Sequence, residues 1–497
     1  MSTRCQGRQE LTGRHAPESP TIATKADRMH AQDATASPDL PLRGTEHAPP
    51  VAEGGYCDVF VVGGGPGGST LSTLLARKGH DVVMVEKEHH PRFHIGESLL
   101  PANLELFETL GVADEIAQIG IDKWGAEFVS PAHDHVQPYN FGDAWDKSMP
   151  KAYEVERAEF DRILFRNAER HGARTSEGTK VVDIDFHDAP RTDERGREYH
   201  ATVTTRDEHG DQRIWQTAFV ADATGRDTFL ANCHGWKRRS RKHNSAAVFG
   251  HFRDAERNPG KTEGNITLFW FDHGWFWFIP LKNGVTSVGM VTWPYHMKTR
   301  AGRSLEQFLF DNIDTVPELK RRLADASLVR DVQATGNFSY SADRTHGDRF
   351  ILVGDAFMFI DPVFSSGVML AMQSGVFGAD AIDTVLREPA RAKQALKAYD
   401  RQVRRGPKEF SWFIYRITKP VMRDLFMAPR NFFRVKEALI SLLAADIHRG
   451  TPIWRSIRIL KAIYYVTSIA RLRRSLADWR AHRRKVQPLS GETDTRG

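Results

Sequence analysis

The run Gly63-x-Gly65-x-x-Gly68 stands between a short apolar stretch, 57–62, and a stretch at 69–78 in which Leu71, Leu74 and Leu75 recur at helical spacing. In that setting each glycine has a task. The first allows a tight turn, the second lets a pyrophosphate approach the backbone, and the third lets helix and strand pack closely. The helix N-terminus then faces the phosphates. Gly79 stops the helix, and a second strand is expected at 81–86. Glu86, at its end, is placed to bond a ribose 2′-hydroxyl, and its charge disfavours a 2′-phosphate. The segment reads as a nucleotide-binding βαβ unit, with the nucleotide still open.

Six other groups of residues could do chemistry. In Trp275-Phe276-Trp277-Phe278-Ile279-Pro280, strand alternation puts Trp275 and Trp277 on one face, where two indoles could wall off a cofactor or simply fill a core. The run Phe359-Ile360-Asp361-Pro362-Val363-Phe364-Ser365-Ser366-Gly367 precedes a helix expected at 367–386. Amides of Ser366 and Gly367 there could hold an anion, or the end could be an ordinary terminus capped by Ser365. Asp222-Ala223-Thr224-Gly225 and Gly354-Asp355 each end an expected strand, and alone either reads as a turn or a cap. Arg157 with Asp161 alone reads as a solvated helix pair, and Lys123 as a surface lysine.

The elements that must position these residues alternate along the chain. Helices are expected at 101–110 and 157–171, and strands at 181–186, 199–205, 215–221, 266–278, 285–292 and 350–353; the part after about 400 is mainly helical. The expected fold is therefore α/β (α+β): a Rossmann-like βαβ domain over 56–400, a β-rich substrate sheet inserted at about 180–340, and a helical region at 401–497. Residues 1–55 mix polar types without periodicity and read as a flexible tail.

Composition narrows the classes. With 40% hydrophobic and 27% charged residues, the chain is neither disordered nor fibrous. No stretch is apolar for the roughly 18 residues that a membrane span needs. Cys5, Cys57 and Cys233 lack the spacing of a metal or redox site, so no metal, no disulfide framework and a reducing cytoplasm are expected. Residues 453–486 carry ten Lys and Arg against one Asp, a local +9 that leaves about −3 on the rest of a chain of net +6, so the basic character belongs to that segment and no nucleic-acid partner is expected. There Ile453, Ile457, Leu460 and Tyr464 recur at helical spacing, with Arg455, Arg458 and Lys461 between them. This amphipathic helix either packs on the body or meets an acidic carrier protein or an anionic membrane surface.

Taken in order, the glycine run, Arg157 with Asp161, the Asp222–Gly225 segment and Gly354-Asp355 resemble the FAD-binding pattern of the aromatic hydroxylase superfamily. The tryptophan run fits a WxWxIP pattern and the segment before Gly367 an FxxPxxSxG pattern. With Lys123 and Gly96-Glu97-Ser98, these resemble the flavin-dependent halogenases of phenols and pyrroles, over residues from about 56 to about 450. The resemblance implies FAD, reduced by a separate flavin reductase, and hypohalous acid made from halide and dioxygen. It also implies halide at Ser366 and Gly367, a barrier at Trp275 and Trp277, and Lys123 as the residue that receives hypohalous acid. The aromatic substrate would be phenolic or pyrrolic, free or carrier-bound. Where tryptophan halogenases have a glutamate this chain has Phe364, which argues against free tryptophan and leaves Lys123 without that acidic partner. A flavin monooxygenase or an isoprenoid reductase on the same scaffold is the alternative.

Overall fold

A computed structural model of the chain describes residues 3–6, 52–240, 245–471 and Arg480. The flexible tail expected at 1–55 falls mostly outside the described residues, as does most of the basic segment beyond 471. Thr3–Gln6, within that tail, pairs antiparallel with Lys180–Thr192 at the edge of a sheet. Four residues are too few to show a period, so the sequence offered no sign of it.

The first sheet has Ala52–Val62 at its centre, parallel to Val82–Val85 on one side and Gln212–Asp222 on the other. Val59, Phe60 and Val61 are fully buried, as a strand covered on both faces requires. Phe350–Leu352 continues the parallel set beside Gln212–Asp222. Pro66–Arg77 is the crossover helix, and the long helix Gly367–Arg387 lies directly against it. Gly375 makes that approach possible, since a Cβ there would come within 2.7 Å of the Gly67 carbonyl oxygen.

Strands Lys180–Thr192 and Glu198–Arg206 also belong to this sheet, through antiparallel pairing to Gln212–Asp222. The second sheet is therefore not the continuous insertion at 180–340. Its order is Ser327–Phe338, Ser245–Arg253, Val285–Thr292, Gly274–Pro280, Ile266–Phe271, Gly125–Val129 and Val136–Asn140. The long strand expected at 266–278 is a hairpin that turns at Asp272 and His273.

Both faces of the second sheet are covered. Trp275, Trp277 and Ile279 join a core shared with the C-terminal helices, whereas Phe276 and Phe278 join one under Leu305–Ile313 and Pro317–Arg322. Among the described residues no helix is long and apolar enough to cross a membrane. Cys233 is disulfide-bonded, contrary to the expectation from spacing, and Cys57 is a buried free thiol. Spacing along the chain does not reveal a pairing made in space.

The C-terminal helix Trp454–Ala470 packs on the body. Ile453, Ile457 and Leu460 are buried in the main core, Arg455 and Arg458 are exposed, and Lys461 pairs with Glu409 at 2.9 Å. Truncation before Ile453 is expected to remove three buried aliphatic side chains, each worth about 1.5–3 kcal/mol of burial, and to lower the thermal midpoint. Comparing that protein with the full chain by thermal unfolding checks this.

Candidate functional site

The parallel strands of the first sheet end on a cavity of about 820 Å³, whose far wall is the tryptophan face of the second sheet. That is the crevice in which open α/β sheets bind their ligands, and its volume lies in the range of small-molecule sites. Gly63, at φ +107, makes the turn, and a Cβ there would overlap the Ala223 carbonyl oxygen. Gly65 opens onto the cavity, and the nearest neighbour of a Cβ there would be the Arg92 guanidinium at 3.7 Å. Gly68 lies behind the lining and packs on the Gly63 carbonyl.

Glu86 lines the cavity, its carboxylate accepting the Gly64 N–H at 2.9 Å and the Glu88 N–H at 3.2 Å. Arg157 holds Asp161 in a two-pronged ion pair at 2.9 and 3.0 Å and donates to the Ile95 carbonyl at 3.1 Å. Arg92 approaches the same Asp161 at 3.2 Å, and the two arginines hold that carboxyl below the usual carboxylate range against its burial. Arg92 carries no motif of its own in the sequence beyond its place just before Gly96-Glu97-Ser98. Gly225, Gly354 and Asp355 line the cavity too. Burial pushes the Asp355 carboxyl up to about 7, opposed by Arg226 and Arg157. Asp222 does not line it; its carboxylate accepts from the Thr224 N–H and hydroxyl and the Leu230 N–H, shaping the turn that carries Gly225.

His94, also on the wall, donates from Nδ1 to the Ile95 carbonyl at 2.7 Å, and burial holds its pKa down to about 4. Between pH 6.5 and 4 it binds fewer protons folded than unfolded, so stability present above that window is lost as pH falls through it. The expected loss is about 3 kcal/mol. Urea unfolding of the native protein and of His94→Asn at both ends of the window checks it, the variant showing the flatter response.

On the far wall Trp275 and Trp277 are 4% and 5% exposed, with ring centroids 6.1 Å apart. The Trp277 indole N–H donates to Ser287 Oγ at 3.1 Å. Ser366 is the N-cap of the long helix and makes no side-chain cap bond; it sits just behind the lining, to which Ser365 and Gly367 contribute. Ser365, at φ +55, turns its hydroxyl to Ser98 rather than capping the helix.

Lys123 is 1% exposed and lies behind the lining residue Ser98. Its ammonium donates to Ser98 Oγ at 2.7 Å and to the Leu99 carbonyl at 2.9 Å, and stands 3.6 Å from Glu154. Glu154 is fully buried; burial raises its carboxyl to about 8 and lowers the Lys123 amine. Lys123 therefore has an acidic partner after all, on the strand Ala152–Glu154 that pairs antiparallel with Ile121–Lys123. Phe364 instead is core, stacked on Phe426 at 6.3 Å.

Residues 56–410 match the FAD binding domain family. The myxobacterial chondrochloren halogenase CndH, described as a new variant of FAD-dependent halogenases, superposes with a TM-score of 0.67 at 32% identity, over 81% of this chain and 92% of that one. The chain belongs to the flavin-dependent halogenase family. Two curated relatives in this family show its spread of substrates. One, from Chondromyces crocatus, is named tryptophan 2-halogenase and is 32% identical over 69% of this chain and 64% of its own length. Another, from Pseudomonas fluorescens, is named 1H-pyrrole-2-carbonyl-[peptidyl-carrier protein] chlorinase and is 27% identical over 79% of this chain and 90% of its own length. FAD is accordingly the cofactor of this halogenase. The open face of Gly65, the Arg92 guanidinium beside it and the carboxylate of Glu86 fit a dinucleotide at this cavity.

Proposed function

We propose that this halogenase makes hypohalous acid at the flavin and passes its halogen through Lys123 to an electron-rich aromatic ring. The observation that carries the reading is the placement of Lys123: a buried amine, one hydroxyl beyond the cavity wall, beside a carboxyl able to hold its proton. Bound FAD, once reduced, supplies the reaction of dioxygen with halide. The chain's own residues do the rest. Gly63, Gly65 and Arg92 cradle the pyrophosphate, with Gly68 closing the turn behind them. Glu86 takes the ribose, and Arg157, Gly225, Gly354 and Asp355 border the remainder of the cofactor. The first-turn amides at Ser366 and Gly367 have no intrahelical acceptor and favour a halide. Trp275 and Trp277 keep the aromatic substrate from the flavin. Ser98 and Ser365 mark the side from which hypohalous acid reaches Lys123.

One dinucleotide fingerprint in the chain favours a separate flavin reductase as electron source. The pyrrole enzyme among the relatives favours a carrier-bound substrate, and the exposed Arg455 and Arg458 suit an acidic carrier protein better than a bilayer. Phenols and pyrroles are the proposed substrate class, and the tryptophan 2-halogenase keeps indoles in the test. A flavin reductase, bromide and matched phenols, pyrroles and indoles, free and as carrier thioesters, form the experiment. Faster bromination of a phenol or pyrrole thioester than of its free acid supports the carrier reading; exclusive turnover of free tryptophan overturns the substrate class.

A further inference from the structure

The proton inventory around Ser98 is complete, and it points one way. A hydroxyl has one proton to give and two lone pairs to accept with. The Ser98 hydroxyl donates to Glu154 Oε1 at 3.1 Å and accepts from Lys123 Nζ at 2.7 Å and from the Ser365 hydroxyl at 3.0 Å. Ser98 and Ser365 line the FAD cavity; Lys123 and Glu154 do not. The hydrogen bonds therefore run inward, from the cavity through two hydroxyls to a carboxylate. The other carboxylate oxygen, Glu154 Oε2, is buried with no partner.

Backbone geometry holds these groups together. Ile121–Lys123 and Ala152–Glu154 are paired with Lys123 opposite Ala152 and Ile121 opposite Glu154, so Lys123 and Glu154 project from the same face. Ser98 bridges to Glu154 on that strand's other side. Ser365 reaches Ser98 from a left-handed conformation, φ +55, that a non-glycine residue adopts at some cost.

We propose that Glu154 takes and returns the Lys123 proton, and that the hydroxyls of Ser98 and Ser365 carry protons between this buried pair and the flavin cavity. The inference rests on the reading of Lys123 given above, and makes Glu154 a positioning residue that acts through the lysine. The steps balance. Lys123 gives one proton to Glu154, leaving a neutral amine beside a neutral acid. The amine attacks the halogen of hypohalous acid, the N–X bond forms as the O–X bond breaks, and the departing hydroxide takes the Glu154 proton to become water. The haloammonium then returns a proton to Glu154, giving a neutral haloamine and a neutral acid. Transfer of halogen to the ring releases the ring proton to the amine nitrogen, and the ion pair re-forms. Among the described residues Glu97 is the other carboxylate that opposes a charge on Glu154, and His251 binds it at 2.6 Å.

The test uses FAD-loaded Glu154→Gln and measures halogenated product per flavin oxidised, from about pH 6 to pH 10. The native enzyme is expected to couple evenly across the range. In the variant Lys123 exchanges its proton with solvent alone and nothing offsets the burial that lowers its amine, so coupling is expected to stay below native and to rise with pH, by about tenfold per unit, up to the amine's lowered pKa. Ser98→Ala is expected to reproduce the defect and Ser98→Thr to restore coupling, which keeps the proposal open to refutation if Glu154→Gln does not fold. Native coupling in Glu154→Gln at neutral pH, an equal loss at every pH, or a Ser98→Thr enzyme as impaired as Ser98→Ala would overturn it. Lys123→Ala run in parallel separates the two readings. Product surviving in that variant refutes the role of the lysine, whereas product lost there but unchanged in Glu154→Gln refutes this inference alone.

Discussion

Lys123→Met is expected to bind FAD and release hypohalous acid while halogenated product falls by about 10²–10⁴-fold, the contribution typical of a positioned catalytic group. Methionine fills nearly the lysine's volume without its charge, so the packing around Phe141 and Leu99 is kept. Breaking a buried ion pair is costly when a charge is left behind. Here the lysine's charge is what opposes the effect of burial on the remaining carboxyl, so without it that group takes up a proton and stays bonded to Ser98. The stability loss is expected to be about 1–3 kcal/mol, small enough to leave the fold intact. A colorimetric trap for hypohalous acid and product mass read the two arms. Loss of bound FAD would make the lysine structural, and undiminished product would remove it from the mechanism.

Replacing both Trp275 and Trp277 by Ala is the most disruptive change expected at the cavity. Each indole is nearly fully buried, and deleting each costs about 3–5 kcal/mol in lost packing. If the double variant folds, solvent and substrate gain access to the flavin, peroxide release should rise several-fold and halogenation should fall with it. Paired Phe replacements separate wall from packing. They keep an aromatic surface and lose the Trp277 N–H bond to Ser287, at about 1 kcal/mol, so leakage should stay near native. A stable double-Ala protein with native leakage and native halogenation would end the barrier role.

Much of the cofactor half was legible because its signals are local. Gly63, Gly65, Gly68 and Glu86 lie in one βαβ unit, and Arg157 and Asp161 are one helical turn apart. Asp222 shows the limit of such reading: the run Asp222–Gly225 was correctly seen as a strand end, but the carboxylate turns inward to hold Thr224 and Leu230. The partner of Lys123 was not legible at all. Glu154 reaches it through the pairing of two three-residue strands, and no local period encodes the register of elements so short. Sheet membership was hidden for a related reason. Nothing local in the strands at 180–222 or in those at 245–292 says which sheet each joins, and only long-range pairing assigns them. In Ile266–Phe271 and Gly274–Pro280 both faces are buried, so the alternation that would have exposed the hairpin is absent.

Whether this flavoprotein transfers halogen rather than oxygen to an aromatic ring is read from the product itself. Aerobic turnover is run with chemically reduced FAD and a phenol or pyrrole, with and without bromide, and products are read by mass. A halogenase gives a product with the paired isotope peaks of bromine, absent when bromide is omitted and absent in Lys123→Met. A hydroxylated product formed equally well without halide would contradict halogen transfer.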